Sequence, residues 1–157
     1  MNPIRIAALP QRFLDSVRNN GIDDLGQPVK RVTAQGGEPC RDVLRRARAG
    51  EELILASFSP FAKVGPYKEY GPVFVLANPS DESVARDTLP IDGVPPYLRE
   101  QFVIRAYSDA EEIRDAVLTS PGNSAAAITR FFDNDETAFL HLRFPTYGCF
   151  ALRVDRA

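Results

Sequence analysis

The stretch TAFLHLRFPTYGCFALRVDRA, residues 137–157, decides the fold class: its apolar residues alternate as Leu140, Leu142, Phe144 and again as Phe150, Leu152, Val154. Alternation with a period of two marks a strand with one buried face, and two such runs around a glycine-bearing turn read as an antiparallel hairpin. Both apolar sets must then lie on one side of the sheet. A four-residue loop, Pro145 to Gly148, would pair Phe144 with Cys149 and send Phe150, Leu152 and Val154 to the wrong side. A three-residue loop, Thr146-Tyr147-Gly148, with Gly148 left-handed in a bulge, pairs Phe144 with Phe150, Leu142 with Leu152 and Leu140 with Val154. The second register is the expectation.

The opposite face of that hairpin carries Phe139, His141 and Arg143 on one strand and Cys149, Ala151, Arg153 and Asp155 on the other. The register sets His141, the sole histidine, across from Arg153 and diagonal to Asp155. A neighbouring carboxylate raises a histidine pKa and a neighbouring guanidinium lowers it, so the two influences oppose each other. One reading is a solvated sheet face. The other is a binding site for a small anion or carboxylate at His141, Arg143, Arg153 and Asp155, joined by Arg41 and Tyr67, because an arginine fork suits such groups. Cys149 stands opposite Pro145, four positions along the strand from His141. At the rise of a strand that is on the order of 13 Å, whereas a cysteine–histidine pair needs about 3 Å. Cys149 is thereby excluded as a nucleophile activated by His141.

Around this hairpin the composition is that of an ordinary globular protein. A chain of 157 residues buries about two thirds of its unfolded surface on folding and needs no disulfide or metal for stability, so one domain over residues 1–157 is expected. With 19 basic and 21 acidic residues the net charge is −2, and the overall field favours neither nucleic acid nor an anionic membrane as partner. The start, MNPIRIAALPQRF, has an arginine inside a short apolar run, unlike a signal peptide, and no later run is long enough to span a membrane. A cytoplasmic protein is expected. Cys40 and Cys149 are too far apart in sequence for a metal knuckle and form no disulfide framework. No metal or other cofactor is implied.

Elsewhere PIRIAAL, ELILASF, VFVLA and QFVIRAY read as strands, and Val29 to Ala34 as an edge strand. Helical spacing places helices at about Pro10–Arg18, Pro39–Arg48 and Asn123–Asp133. In the second of these, Cys40, Val43, Leu44 and Ala47 share one face. From Asn78 to Pro96 the chain turns rich in Pro, Asp, Ser and Glu, which suits a surface excursion or a flap. EEIRDAVLT fits a helix, through the capping box of Ser108 and Glu111, as well as a hairpin arm.

As the second residue of a helix beside Arg41, Cys40 would have its thiolate favoured by the helix dipole, which makes it a candidate nucleophile. Its spacing with Val43, Leu44 and Ala47 suits a small core residue equally well. Arg41, Arg45, Arg46 and Arg48 are basic without interleaved aromatics, a pattern of a solvated helix face. GPYKEYGP, residues 65–72, matches no phosphate loop and reads as a rigid turn whose tyrosines cap a pocket.

Three segments, PCRDVLRRARAGEELILASFSPF, GPYKEYGPVFV and the terminal GCFALRVDRA, together resemble the bacterial domain-of-unknown-function family 1203. The resemblance runs from about Ile4 to Ala157 and implies a small α+β bacterial protein, with a strand at EEIRDAVLT. It also implies a second cysteine at the position of Leu152, giving Cys-x-x-Cys; its absence here removes any metal or redox role built on that pair. The expectation is an α+β fold: a mostly antiparallel sheet packed by two or three helices and ending in a β-hairpin. Three functions remain open: a domain binding a small anionic ligand, an enzyme using Cys40, and a protein-interaction module without a catalytic site. The oligomeric state is not readable.

Overall fold

In the computed structural model, which describes residues 2–157, the elements follow in this order: β1 (Ile4–Ile6), α1 (Gln11–Asp15) running into a π-helical turn (Ser16–Asn20), β2 (Lys30–Thr33), β3 (Pro39–Cys40), β4 (Arg45–Arg46), β5 (Glu52–Phe58), β6 (Gly71–Leu76), β7 (Phe102–Tyr107), β8 (Ile113–Thr119), α2 (Pro121–Phe132), β9 (Phe139–Arg143) and β10 (Phe150–Arg156). They form two five-stranded sheets, ordered β1-β10-β9-β7-β8 and β2-β5-β6-β3-β4. Every pairing is antiparallel except the single parallel contact of Cys40 with Phe74. The fold is α+β, as expected, with β2 an edge strand and β8 the strand that the family resemblance implied.

The terminal hairpin keeps the expected pairs Leu142–Leu152, His141–Arg153 and Leu140–Val154. Its turn is built differently. Phe144 N–H donates to Cys149 O at 3.0 Å and Gly148 N–H to Phe144 O at 2.8 Å, so four residues form the loop, with Gly148 left-handed at φ 74°. The register error that such a loop creates is repaired further along, by a bulge between Phe150 and Leu152. Phe150 therefore stands opposite Arg143, not Phe144, and joins Phe13 and Phe58 in a core cluster against the second sheet. Ala151, Leu152 and Val154 turn to the other side, into the main core with Ile104, Leu140, Leu142, Ile128 and Phe131. Both bulge carbonyls accept side-chain bonds: Arg41 Nε donates to Phe150 O at 2.9 Å and the Tyr97 hydroxyl to Ala151 O at 2.7 Å.

The helix expected over Pro39–Arg48 is instead a short hairpin, β3–β4. Arg41 N–H is drawn into the second sheet by Phe74 O at 2.9 Å, and Leu44 N–H closes one helical turn on Cys40 O at 2.9 Å. Leu44 then takes a left-handed φ of 52°, which ends the turn. The chain runs back antiparallel, Ala47 N–H donating to Glu38 O and Gly37 N–H to Ala47 O at 2.8 and 2.9 Å. Cys40, Val43, Leu44 and Ala47 are all buried, so the apolar spacing was right and the backbone that satisfies it is not helical.

Helix α1 buries Phe13, and its π-helical extension buries Val17 before Gly21 turns left-handed at φ 65°. Helix α2 begins at Pro121, two residues ahead of the expected start, because a proline suits the first helical position; it packs Ile128, Phe131 and Phe132 on the main core. Between β6 and β7 no regular element forms among the described residues. That excursion is nonetheless anchored, with Tyr97 and Leu98 in the core and Leu98 N–H bonded to Pro90 O at 3.0 Å.

Candidate functional site

The sheet face around His141 is not solvated: His141 is 0% exposed. Strands β7 and β10 flank it with Arg105 and Arg153 directly opposite. Four aromatic rings enclose the imidazole, with centroids at 4.8 Å for Tyr107 and 5.1 Å for Phe61, Phe139 and Phe150. Phe61 comes from the connection between β5 and β6, which covers this face. Burial first, then the charges of Arg143, Arg153 and Arg105, hold the His141 pKa well below its ordinary value, so the ring is neutral. Neither of its nitrogens has a hydrogen-bond partner.

Arg143 is 4% exposed; it donates to Gly148 O at 3.1 Å and through Nη2 to the Glu69 carboxylate, while its Nε is buried without a partner. The same Glu69 oxygen lies 3.9 Å from Arg105. Arg153 stacks 4.0 Å over the Phe139 ring and spends its charge on Asp155, bonded at 2.9 Å. Tyr67, half-exposed, sits in the loop that carries Glu69 and makes no hydrogen bond to these arginines. The face thus brings His141, Arg143, Arg153 and Asp155 together with Glu69 and Arg105, two residues that no local pattern marks out.

Arg41 lies elsewhere. It is 4% exposed, bonded to the carbonyls of Phe150 and Pro39 at 2.9 Å, and 5.2 Å from the Phe144 ring centroid. Arg46 covers the same ring at 5.0 Å. Cys40 is fully buried with Ala34, Val43, Ala47, Leu53 and Leu76, and burial, reinforced by the Asp42 charge, pushes its thiol up to about 12. Cys149 is partly exposed in the hairpin turn.

Beyond Phe144, Arg46 opens onto a cleft of about 600 Å³ between the β3–β4 hairpin and the segment 92–99. Gly37, Val94, Pro95, Arg99 and Asp92 contribute to its walls. Arg46 donates Nε and Nη2 to Tyr97 O at 3.2 and 2.8 Å and Nη1 to Gly37 O at 3.0 Å, which ties the two walls together. Three of the five guanidinium N–H groups are used and two are free. The Arg99 guanidinium lies over Gly37, whose φ of 97° suits glycine. Burial, and after it the Arg99 charge, lowers the Arg46 pKa. In sequence Arg46 is one of four closely spaced arginines whose pattern suits a solvated face, and Arg99 falls in an irregular stretch with no periodic pattern to single it out.

The family described as protein of unknown function (DUF1203) matches residues 37–156. The chain belongs to that family. The DUF1203 region starts at Gly37, under Arg99, and ends on β10, so it takes in both the cleft and the His141 face. No curated protein and no solved structure matches the chain. Among the described residues no helix is long and apolar enough to cross a membrane, and no cluster of three or more His, Cys, Asp or Glu is placed to hold a metal ion.

The two basic regions of this DUF1203 chain differ in how their charge is met. Around His141, Arg143 and Arg105 face Glu69, and Arg153 faces Asp155. At the cleft, Arg45 is paired with Glu51 and Glu82 at 2.9 and 2.7 Å. Arg46 and Arg99 form no ion pair among the described residues, nor does Asp92, so that carboxylate stands beyond 4.0 Å from either guanidinium.

Proposed function

We propose that the domain binds a small anionic ligand in the cleft between the β3–β4 hairpin and residues 92–99. The observation that carries this reading is Arg46, which has two free donors beside the Arg99 guanidinium and no acid against either. Two neighbouring cations raise each other's energy, and an oxyanion between them relieves that repulsion while taking charge-assisted hydrogen bonds. The backbone bonds that hold Arg46 fix its fork in place, so little side-chain freedom is lost on binding.

Arg99 is exposed, and its replacement leaves the core untouched. The expected result is that phosphate or sulfate raises the melting temperature, by an amount that grows with the logarithm of its concentration above the dissociation constant. In Arg99→Ala the concentration needed for the same rise is about tenfold or more higher, the equivalent of one charge-assisted bond of roughly 1.5–3 kcal/mol. A shift unchanged in Arg99→Ala, or matched by sodium chloride at equal ionic strength, rejects the site.

A further inference from the structure

We infer that Arg105 and Arg143 form a second, separate carboxylate site, in which Glu69 is a resident occupant that a small free carboxylate displaces. The two arginines project from adjacent antiparallel strands onto one face, Arg143 opposite Val103 and Arg105 opposite His141. Both address the same oxygen of Glu69, which is the arrangement of a two-arginine carboxylate clamp.

The clamp offers more than Glu69 takes. Arg143 Nε and both nitrogens of His141 are buried without partners on the same face, and a neutral imidazole still carries one N–H. The other oxygen of Glu69 makes no hydrogen bond or ion pair among the described residues. A carboxylate free of the loop can turn both oxygens toward these donors, whereas Glu69 approaches on a tether. Unmet buried donors are costly, so a ligand that meets them has an advantage over the resident group.

The tether itself is slight. Upstream, Phe61 packs in the aromatic cluster, and the backbone N–H groups of Ala62 and Lys63 donate to Glu111 at 3.0 and 3.1 Å. From Val64 to Tyr70 the polar contacts that leave the connection between β5 and β6 are, among the described residues, those of Glu69 alone. Glu69 is 41% exposed while Arg143 is 4% exposed, so solvent reaches the occupant and the clamp stays ordered beneath it. Once Glu69 leaves, Arg105 and Arg143 pair with no other acid among the described residues, and Asp155 is held by Arg153.

Chymotryptic cleavage after Tyr67 reads release of the loop, and the Arg99→Ala protein keeps the first cleft from contributing. Acetate and succinate are expected to speed that cleavage severalfold and saturably, with sodium chloride at matched ionic strength ineffective. Glu69→Gln is expected to be cut fast with or without acetate. In Glu69→Gln/Arg105→Ala the rise in melting temperature that acetate gives Glu69→Gln beyond sodium chloride at matched ionic strength is expected to disappear. Cleavage unaffected by acetate, an equal response to chloride, or a thermal response of Glu69→Gln that survives Arg105→Ala overturns the inference.

Discussion

At His141 a single ring sets the response to pH. The neutral imidazole lies among four aromatic rings and three arginines, Arg105, Arg143 and Arg153, with Glu69 the nearest acid of the covering loop. Its folded-state pKa is lowered, so below the unfolded value of 6.5 the unfolded chain binds a proton that the native protein does not. Stability is then full above that value and falls as pH drops through it, by up to about 1.4 kcal/mol per pH unit. Asp42, whose carboxyl burial raises, acts with the opposite sign and cannot produce the same slope. In urea melts between pH 5 and 7.5, His141→Phe is expected to flatten the fall below 6.5, and an unchanged slope would assign it to another group. The two thiols divide in the same residue-level way. Cys149 is expected to alkylate readily at pH 8, and Cys40, buried with its pKa pushed up to about 12, only at the rate of global opening, which peptide mass mapping resolves. The sequence put His141 opposite Arg153 through period-two alternation. It could not tell that the face was covered, because Phe61 and Glu69 arrive from a loop 70 or more positions earlier in the chain.

Elements were legible where one local pattern had one solution. The apolar alternation of β9 and β10 demanded that Leu140, Leu142, Leu152 and Val154 share a side, and they do. That demand can be met by a bulge in the turn or a bulge in the strand, and only the surroundings choose: Arg41 and Tyr97 hold the carbonyls at Phe150 and Ala151. At residues 39–48 the spacing of Cys40, Val43, Leu44 and Ala47 was equally compatible with a helix and with one tight turn inside a hairpin. Sheet pairing of Arg41 N–H with Phe74 O favoured the hairpin, against the local propensity. Gly148 keeps its expected left-handed geometry in the four-residue loop, at φ 74° with open space where a Cβ would sit. Gly148→Ala is therefore expected to cost about 1–2 kcal/mol from backbone strain alone. Gly148→Asn should recover part of that loss, as asparagine tolerates the conformation better, and equal stability of the glycine and alanine proteins in denaturant melts would show that the turn relaxes.

Across the whole molecule, buried arginines join segments that are remote in sequence. Arg41 reaches over 109 positions to Phe150 O and links the second sheet to the first. No periodicity encodes such a pair, which is why Arg41 could be chosen as a candidate from its type but not placed. Arg18 does the same work at the other side. It bonds Asp42 at 2.8 Å, with side chains 9% and 7% exposed, and also Leu76 O at 3.0 Å; the Asp42 carboxylate in turn accepts Leu76 N–H at 3.2 Å. The π-helical turn after α1, the β3–β4 hairpin and the end of β6 are thereby fastened at one point. Removing the carboxylate leaves a buried guanidinium without its counter-charge and a buried N–H unmet, so Asp42→Ala is expected to cost about 3–5 kcal/mol, a large share of the roughly 5–15 kcal/mol that holds a domain of this size. Asp42→Asn keeps an acceptor for Leu76 N–H and loses only the charge, and should fall between the two in chemical denaturation. If Asp42→Ala and Asp42→Asn lose the same amount, the carboxylate acts on Arg18 alone and the Leu76 bond contributes nothing; if neither loses more than about 1 kcal/mol, the pair behaves as an exposed one and the fastening lies in the apolar contacts around Phe13 and Val17.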